Sequence, residues 1–178
     1  PAYAADGTTE IGIFSIDPAT GQVTFTPTDK SYTGAVTPAK VQAESSNGIK
    51  VDTTYTPEIV PVTPTATPAE TTDIQGATQK GKPEFKGGTV TVDGVEKTVE
   101  INEAVPATFD DGSTTKTVEG VGTYTVAADG TVTFVPEKSF VGTAPAVTVV
   151  REDKNGTKAS ATYTPTVTPV TPTAEDTT

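Results

Sequence analysis

The sequence predicts an all-β chain built from sandwich units in tandem, and three observations point there. Threonine makes up about a fifth of the 178 residues and valine is common; both are β-branched and favour a pleated, half-buried strand. Leucine is absent, while 16 Gly and 15 Pro punctuate the chain at short intervals, so that strands are broken by turns throughout. The third observation is that the chain repeats itself at the length of a domain.

The repeat is read directly from matching segments. Gly12–Ile16 (GIFSI) corresponds to Gly122–Val126 (GTYTV), Gly21–Pro27 (GQVTFTP) to Gly130–Pro136 (GTVTFVP), and Lys30–Gly34 (KSYTG) to Lys138–Gly142 (KSFVG). Asn47-Gly48 matches Asn155-Gly156, Tyr55-Thr56-Pro57 matches Tyr163-Thr164-Pro165, and Pro61–Thr65 matches Pro169–Thr173. The offset is about 108 residues, far longer than the roughly 20–50 residues of a solenoid unit, so each repeat is a whole domain. Residues 65–173 form a complete second repeat. Residues 1–64 form the C-terminal part of a first repeat that is incomplete or variant. Pro1–Gly7 aligns with Pro106–Gly112, which leaves about 40 leading residues of the second repeat without a counterpart. With no Met and with Pro1 at its start, the chain is expected to be a piece of something longer.

The elements follow from alternation and turn chemistry. Gly122–Val126 and Thr131–Val135 alternate apolar with polar residues, which places Tyr124, Val126, Val132 and Phe134 on one face. Ala127–Gly130 joins them, with Asp129-Gly130 as the hairpin signal. Ala146–Glu152 and Thr157–Val167 make a second hairpin around Asp153–Gly156. Thr89–Val92 and Lys97–Ile101 make a third around Asp93-Gly94, and Val105–Phe109 adds a short strand. About seven strands in a unit of this length match an immunoglobulin-like sandwich in size and spacing. The aromatics Tyr3, Phe14, Phe25, Tyr32 and Tyr55 pair unit for unit with Phe109, Tyr124, Phe134, Phe140 and Tyr163. Recurrence at alternating strand positions marks them as core rather than as a sugar-binding platform.

Prolines at 57, 61, 64 and 68, and again at 165, 169 and 172, mark Thr/Pro-rich linkers over 57–68 and 165–178. Proline fixes φ and holds its neighbour extended, so such a segment is a semi-rigid spacer rather than a loose tether.

The combination GTYTVAADGTVTFVPEKSFVGTAPAVTVV, DKNGTKASATYTP and TVTPVTPTAEDTT resembles the CshA-type fibril repeats of streptococcal cell-wall-anchored surface adhesins. The resemblance covers the second repeat and, in the first, Gly12 to Thr65. It implies an extracellular, wall-anchored stalk of tandem domains that projects a binding region from the cell. Its partners are then neighbouring repeats of the same chain, with any host surface protein held by other regions. Two alternatives stay open: a repeat that itself binds a host protein or carbohydrate, and a calcium-stiffened, cadherin-like repeat. The first repeat departs from the pattern with Ile-Phe-Ser-Ile for Thr-Tyr-Thr-Val and with Ala43–Ser46 in place of Arg151–Lys154.

Composition removes several function classes. A net charge of −11, with acidic residues scattered, argues against nucleic acid and against anionic membrane surfaces, and no apolar run approaches the roughly 20 residues of a membrane helix. With neither His nor Cys, Ser-His and Cys-His nucleophiles are impossible and the usual zinc ligands are missing. Gly120-Val121-Gly122 is a lone Gly-x-Gly at a strand entry and no phosphate loop. Asp110 and Asp111 before Gly112 could serve as calcium ligands or a glycosidase acid, but Asp-Gly is turn chemistry, and the matching Asp6-Gly7 carries a single acid. Asp17, Asp129 and Asp153 are further calcium candidates. Lys82, Lys86 and Lys97 with Asn102 are the candidate set for an isopeptide cross-link. The expectation is a non-enzymatic chain with no catalytic, cofactor or metal residues.

Overall fold

The structure, a computed structural model, describes residues 1–177; Thr178, the last residue of the expected 165–178 linker, lies outside them. The chain forms two compact units, Pro1–Pro61 and a second that begins at Val62. Strands carry both units, and the described residues contain no helix, as the β-branched composition requires.

The first unit contains β1 (Ala2–Tyr3), β2 (Glu10–Ile16), β3 (Val23–Pro27), β4 (Ala39–Glu44) and β5 (Lys50–Tyr55). The first three form an antiparallel sheet in the order β1-β2-β3, and β4 pairs with β5 as a separate ladder. Phe14 lies opposite Phe25 across β2 and β3. Its buried hydrophobic residues are Ala2, Ala4, Ile11 and Val36, with Phe14, Phe25, Tyr32 and Ile59 packed half-buried against them. Every residue of β5 before Tyr55 is exposed.

The second unit holds β6 (Thr65–Thr67), β7 (Ala69–Ile74), β8 (Gln79–Gly81), β9 (Glu84–Lys86), β10 (Gly88–Val92), β11 (Val95–Val99), β12 (Thr108–Phe109), β13 (Thr115–Val118), β14 (Gly122–Val126), β15 (Val132–Pro136), β16 (Gly142–Thr143), β17 (Val147–Glu152) and β18 (Lys158–Thr168). One sheet runs β13-β14-β15-β8, and another runs β12-β17-β18-β16 with β7 added to β18. Tyr124, Val126, Val132 and Phe134 from the first sheet and Phe109, Val147, Val149, Tyr163 and Val167 from the second join a single buried cluster. These are the inward positions of alternating strands, which is why β14 and β15 bury every second residue.

Several elements differ from the sequence expectation for physical reasons. The unit has more than the expected seven or so strands because β6 to β9 are short, polar segments that alternation does not reveal. The third hairpin resumes at Val95, not Lys97, because Asp93 and Gly94 both take positive φ, 50° and 76°, and so close a two-residue turn. The strand expected at Val105–Phe109 shrinks to Thr108–Phe109. Two parts of the expected linkers are strand. Thr65–Thr67 pairs with Glu84–Lys86, and Pro165–Thr168 completes β18. Proline fits there because β17 leaves β18 at Tyr163 and β16 joins it at Thr166, so the missing N–H falls in the gap between partners. The Pro165 carbonyl still accepts from Ala144 N at 2.9 Å.

The match between Tyr3 and Phe109 is also corrected. Ala2 and Ala4 are the buried residues of β1 and its neighbour, and Tyr3 is half-buried, so the place of Phe109 in the ungapped Pro1–Gly7 alignment belongs to Ala4. Gly12 follows Gly7 by five positions, whereas Gly122 follows Gly112 by ten. The first unit therefore has no chain from which to make β13, and β1 takes the matching position beside β2.

Candidate functional site

The candidate aspartates share one local job. Asp6 Oδ1 accepts from Thr8 N at 2.8 Å and Thr9 N at 2.9 Å; Asp17 Oδ1 accepts from Ala19 N, Asp111 Oδ1 from Ser113 N and Asp129 Oδ1 from Thr131 N, each at 2.9 Å. Asp153 Oδ1 accepts from both Asn155 N and Thr157 N at 2.9 Å. Each carboxylate holds a turn by mimicking a backbone acceptor. In Asp6, Asp111 and Asp129 these hydrogen bonds favour the charged form. The Thr9 hydroxyl, followed by the Thr9 and Thr8 amides, brings the Asp6 carboxyl down to about 2. The Ser113 hydroxyl lowers Asp111, and the Thr131 amide lowers Asp129.

Asp110 and Asp111 do come together, around an ammonium. Lys116 Nζ donates to Asp110 Oδ1 at 2.8 Å and lies 3.8 Å from Asp111 Oδ2, with the Phe109 ring centroid 5.6 Å away. The Asp110 hydrogen bond raises the Lys116 ammonium above its ordinary value. Both carboxylates are more than half exposed, so this is a solvated ion pair of small stabilising effect. Asp17, Asp129 and Asp153 stand on three different turns. Among the described residues no group of three or more acidic side chains gathers where a metal ion could be held.

The lysines of the cross-link set have carboxylate neighbours or none. Lys82 lies 3.5 Å from Asp129 and Lys86 3.3 Å from Glu84, while Lys97 is exposed on β11. Asn102 uses its Oδ1 to accept from Ala104 N at 3.1 Å. Lys86 and Asn102 do line one open cleft of about 710 Å³ together with Phe85, Glu103 and Lys154. Gly120 and Gly122 both take positive φ, at the turn before β14 and at its first residue, and Val121 N donates to Val118 O at 3.0 Å.

Of the matched aromatics in the second unit, four are buried, while Phe140, like Tyr32 in the first unit, is half-buried. Tyr124, Phe134, Tyr163 and Phe109 are all at most 1% exposed, and the Tyr124 and Phe134 rings sit 4.8 Å apart. Tyr124 Oη donates to Pro145 O at 2.7 Å. Burial, followed by the neighbouring Tyr163, pushes the Tyr124 phenol up to about 12. Burial also raises Tyr163. The matching Phe14 and Phe25, 5.5 Å apart, are only half-buried.

Two features escaped the sequence reading. Arg151, the sole arginine, is 7% exposed and points inward in register with Val147 and Val149, its Nη2 donating to Glu103 Oε2 at 2.8 Å. Its parity on an alternating strand was the available signal. The other is a polar seam at the edge of the core, joining strands distant in sequence. Thr71 Oγ1 lies 2.6 Å from both Tyr163 Oη and Gln79 Oε1, and Gln79 Nε2 donates to Thr166 O at 2.9 Å. Gln79 is buried, and the seam gives both its Oε1 and its Nε2 a partner.

Comparison with known proteins adds identity to this geometry. A family model described as the repetitive domain of the surface adhesin CshA matches residues 4–59 and 61–167. Among solved structures, the chain is similar to the NMR structure of repeat domain 13 of the fibrillar adhesin CshA from Streptococcus gordonii. The two are 60% identical, with 38% of this chain and 86% of that chain covered and a TM-score of 0.23. A search of curated proteins returned no match.

Proposed function

Since the chain belongs to the family of surface adhesin CshA repetitive domains, we propose that it is a stretch of stalk, in which sandwich repeats in series lift a separate binding region away from the cell wall. The family gives the coarser facts: a repeat of a cell-surface adhesin, of a non-enzymatic kind. The observation that supports the stalk is the succession of two family matches with only residue 60 between them, in a stretch that carries Pro57, Pro61 and Pro64 and no strand from Thr56 to Pro64. Proline at that density keeps a connection extended and gives it stiffness. On this reading residues 1–64 and 65–173 are successive repeats, and their partners are the repeats before and after them. Wall anchoring and any host protein contact belong to other regions of the parent protein.

Small-angle X-ray scattering on the chain, with and without Ca²⁺, tests the proposal. An elongated profile that Ca²⁺ leaves unchanged is the expected result. A compact profile overturns the stalk reading, and elongation only with Ca²⁺ replaces it with a calcium-stiffened rod.

A further inference from the structure

We infer that the second unit is a load-bearing module whose parallel β7–β18 ladder acts as a shear clamp against tension along the chain. The inference takes its setting from the stalk reading, since a tethered stalk is what gets pulled. Its mechanics depend only on the fold of the second unit.

β7 lies near the start of the unit and β18 at its end, and they pair in parallel over six register positions, from Ala69 beside Tyr163 to Ile74 beside Thr168. A pull toward the N-terminus drags β7 backward from its Ala69 end. A pull toward the C-terminus drags β18 forward from its Thr168 end. In a parallel pair these two ends lie at opposite ends of the ladder, so the forces run antiparallel along it and load the inter-strand bonds together. Had the pair been antiparallel, both pulled ends would have met at one end and the bonds would have opened one after another.

The ladder is reinforced where sliding would begin. Gln75 N donates to Thr168 O at 2.8 Å, Thr168 Oγ1 to Asp73 O at 3.3 Å, and Val170 N to Gln75 Oε1 at 3.4 Å, so the far end is tied past the last register pair. In the middle, Thr71 Oγ1 holds Tyr163 Oη, and Gln79 on β8 holds the Thr166 carbonyl. Travel of β18 is also blocked sterically. A Cβ added at Gly81 would lie 2.2 Å from Tyr163 Cε2, so the backbone of β8 already rests on that buried ring. A slip of β18 must break these side-chain bonds and the ladder in one event, which raises the barrier to forced unfolding, the quantity that governs mechanical lifetime. The first unit has no such device among its described strands, because β5 pairs only with β4, and in the antiparallel sense.

Pulling the same fold in two directions tests the clamp. The chain has no Cys, so paired handles can be placed at will. Handles at Thr63→Cys and Thr171→Cys load the ladder in shear. Handles at Thr63→Cys and Lys158→Cys pull both strands from the same end and open it as a zip, with Lys154→Cys as the second placement if K158C does not fold. In single-molecule stretching of the full chain at one speed, the shear geometry is expected to need roughly twice the unfolding force of the zip geometry, or more. Equal forces, or a lower force in shear, overturn the clamp and leave the stalk reading intact. A scattering profile that sinks the stalk leaves this force ratio unaffected.

Discussion

Phe14 and Phe25 in the first unit and Tyr124 and Phe134 in the second sit at matching places on nearly identical hairpins, yet only the second pair is fully buried. The second strand of the hairpin differs at a single position, VTFTP in β3 against VTFVP in β15. What differs is the surroundings. In the second unit β8 pairs with the outer edge of β15, β7 closes on β18, and Phe109 reaches the core from β12. In the first unit β3 and β5 each have one partner among the described strands, and Ala4 stands where Phe109 would be. A well-formed hairpin therefore does not make a core. The core comes from a second layer and from the leading strands that wrap it, as expected of a sheet whose apolar face needs another sheet to cover it.

The largest expected consequence is a gap in local stability. Amide hydrogen exchange should protect β14, β15, β17 and β18 roughly a thousandfold more than β2, β3, β4 and β5, since exchange through opening reports buried apolar contact. Equal protection would erase the distinction between the units. Matched truncations sharpen it further. Phe134→Ala should cost about 3–5 kcal/mol in denaturant unfolding of the second unit, whereas half-buried Phe25→Ala should cost about 1–2 kcal/mol. A similar cost at both sites would show that the first unit buries its hairpin as deeply as the second.

The smallest effects come from pH. The Tyr124 phenol is raised by burial to about 12, so its contribution is fully present below the unfolded value near 10 and is lost as pH rises from there to about 12, weakening the second unit by about 2 kcal/mol. The matching Phe14 cannot ionise, so that position in the first unit makes no corresponding contribution; Tyr124→Phe should remove this part of the alkaline loss, as read by circular dichroism across the range. Asp6 works in the other direction. Its lowered carboxyl supports the first-unit turn above the ordinary aspartate value, and that support fades as pH falls toward 2. Asp6→Asn should remove this acid sensitivity at that turn alone, as read by NMR of Thr8 and Thr9.

The hairpins were legible because their information is local: Asp129-Gly130, Asp153–Gly156 and Asp93-Gly94 each announce a turn between alternating strands. The seam was not. β7 reads Ala-Glu-Thr-Thr-Asp-Ile, with no alternation to mark a face, and its partner lies more than ninety residues away, as the Thr71–Tyr163 separation of 92 shows. Pro165 falls both in the expected strand Thr157–Val167 and in the expected linker 165–178, and the strand prevails because the gap between β17 and β16 makes room for a proline. Asp111, Asp129 and Asp153 were legible as turn residues from the glycines that follow them, whereas Asp17, read as a calcium candidate, has no such mark, and Arg151 would have been found by following the inward parity of Val147 and Val149 one step further.

The pairing of β7 with β18 also bears on how such a chain is made. The second unit cannot complete its sheet until Thr168, the last residue of that ladder, has left the machinery that synthesises or exports it. Contacts this far apart in sequence close slowly, because the loop entropy must be met before the contacts reward it. Until then β7 remains an unpaired edge and the unit an open thread. In a repeat of a cell-surface adhesin, an early strand that waits for the last keeps the unit threadable until its C-terminal end is free.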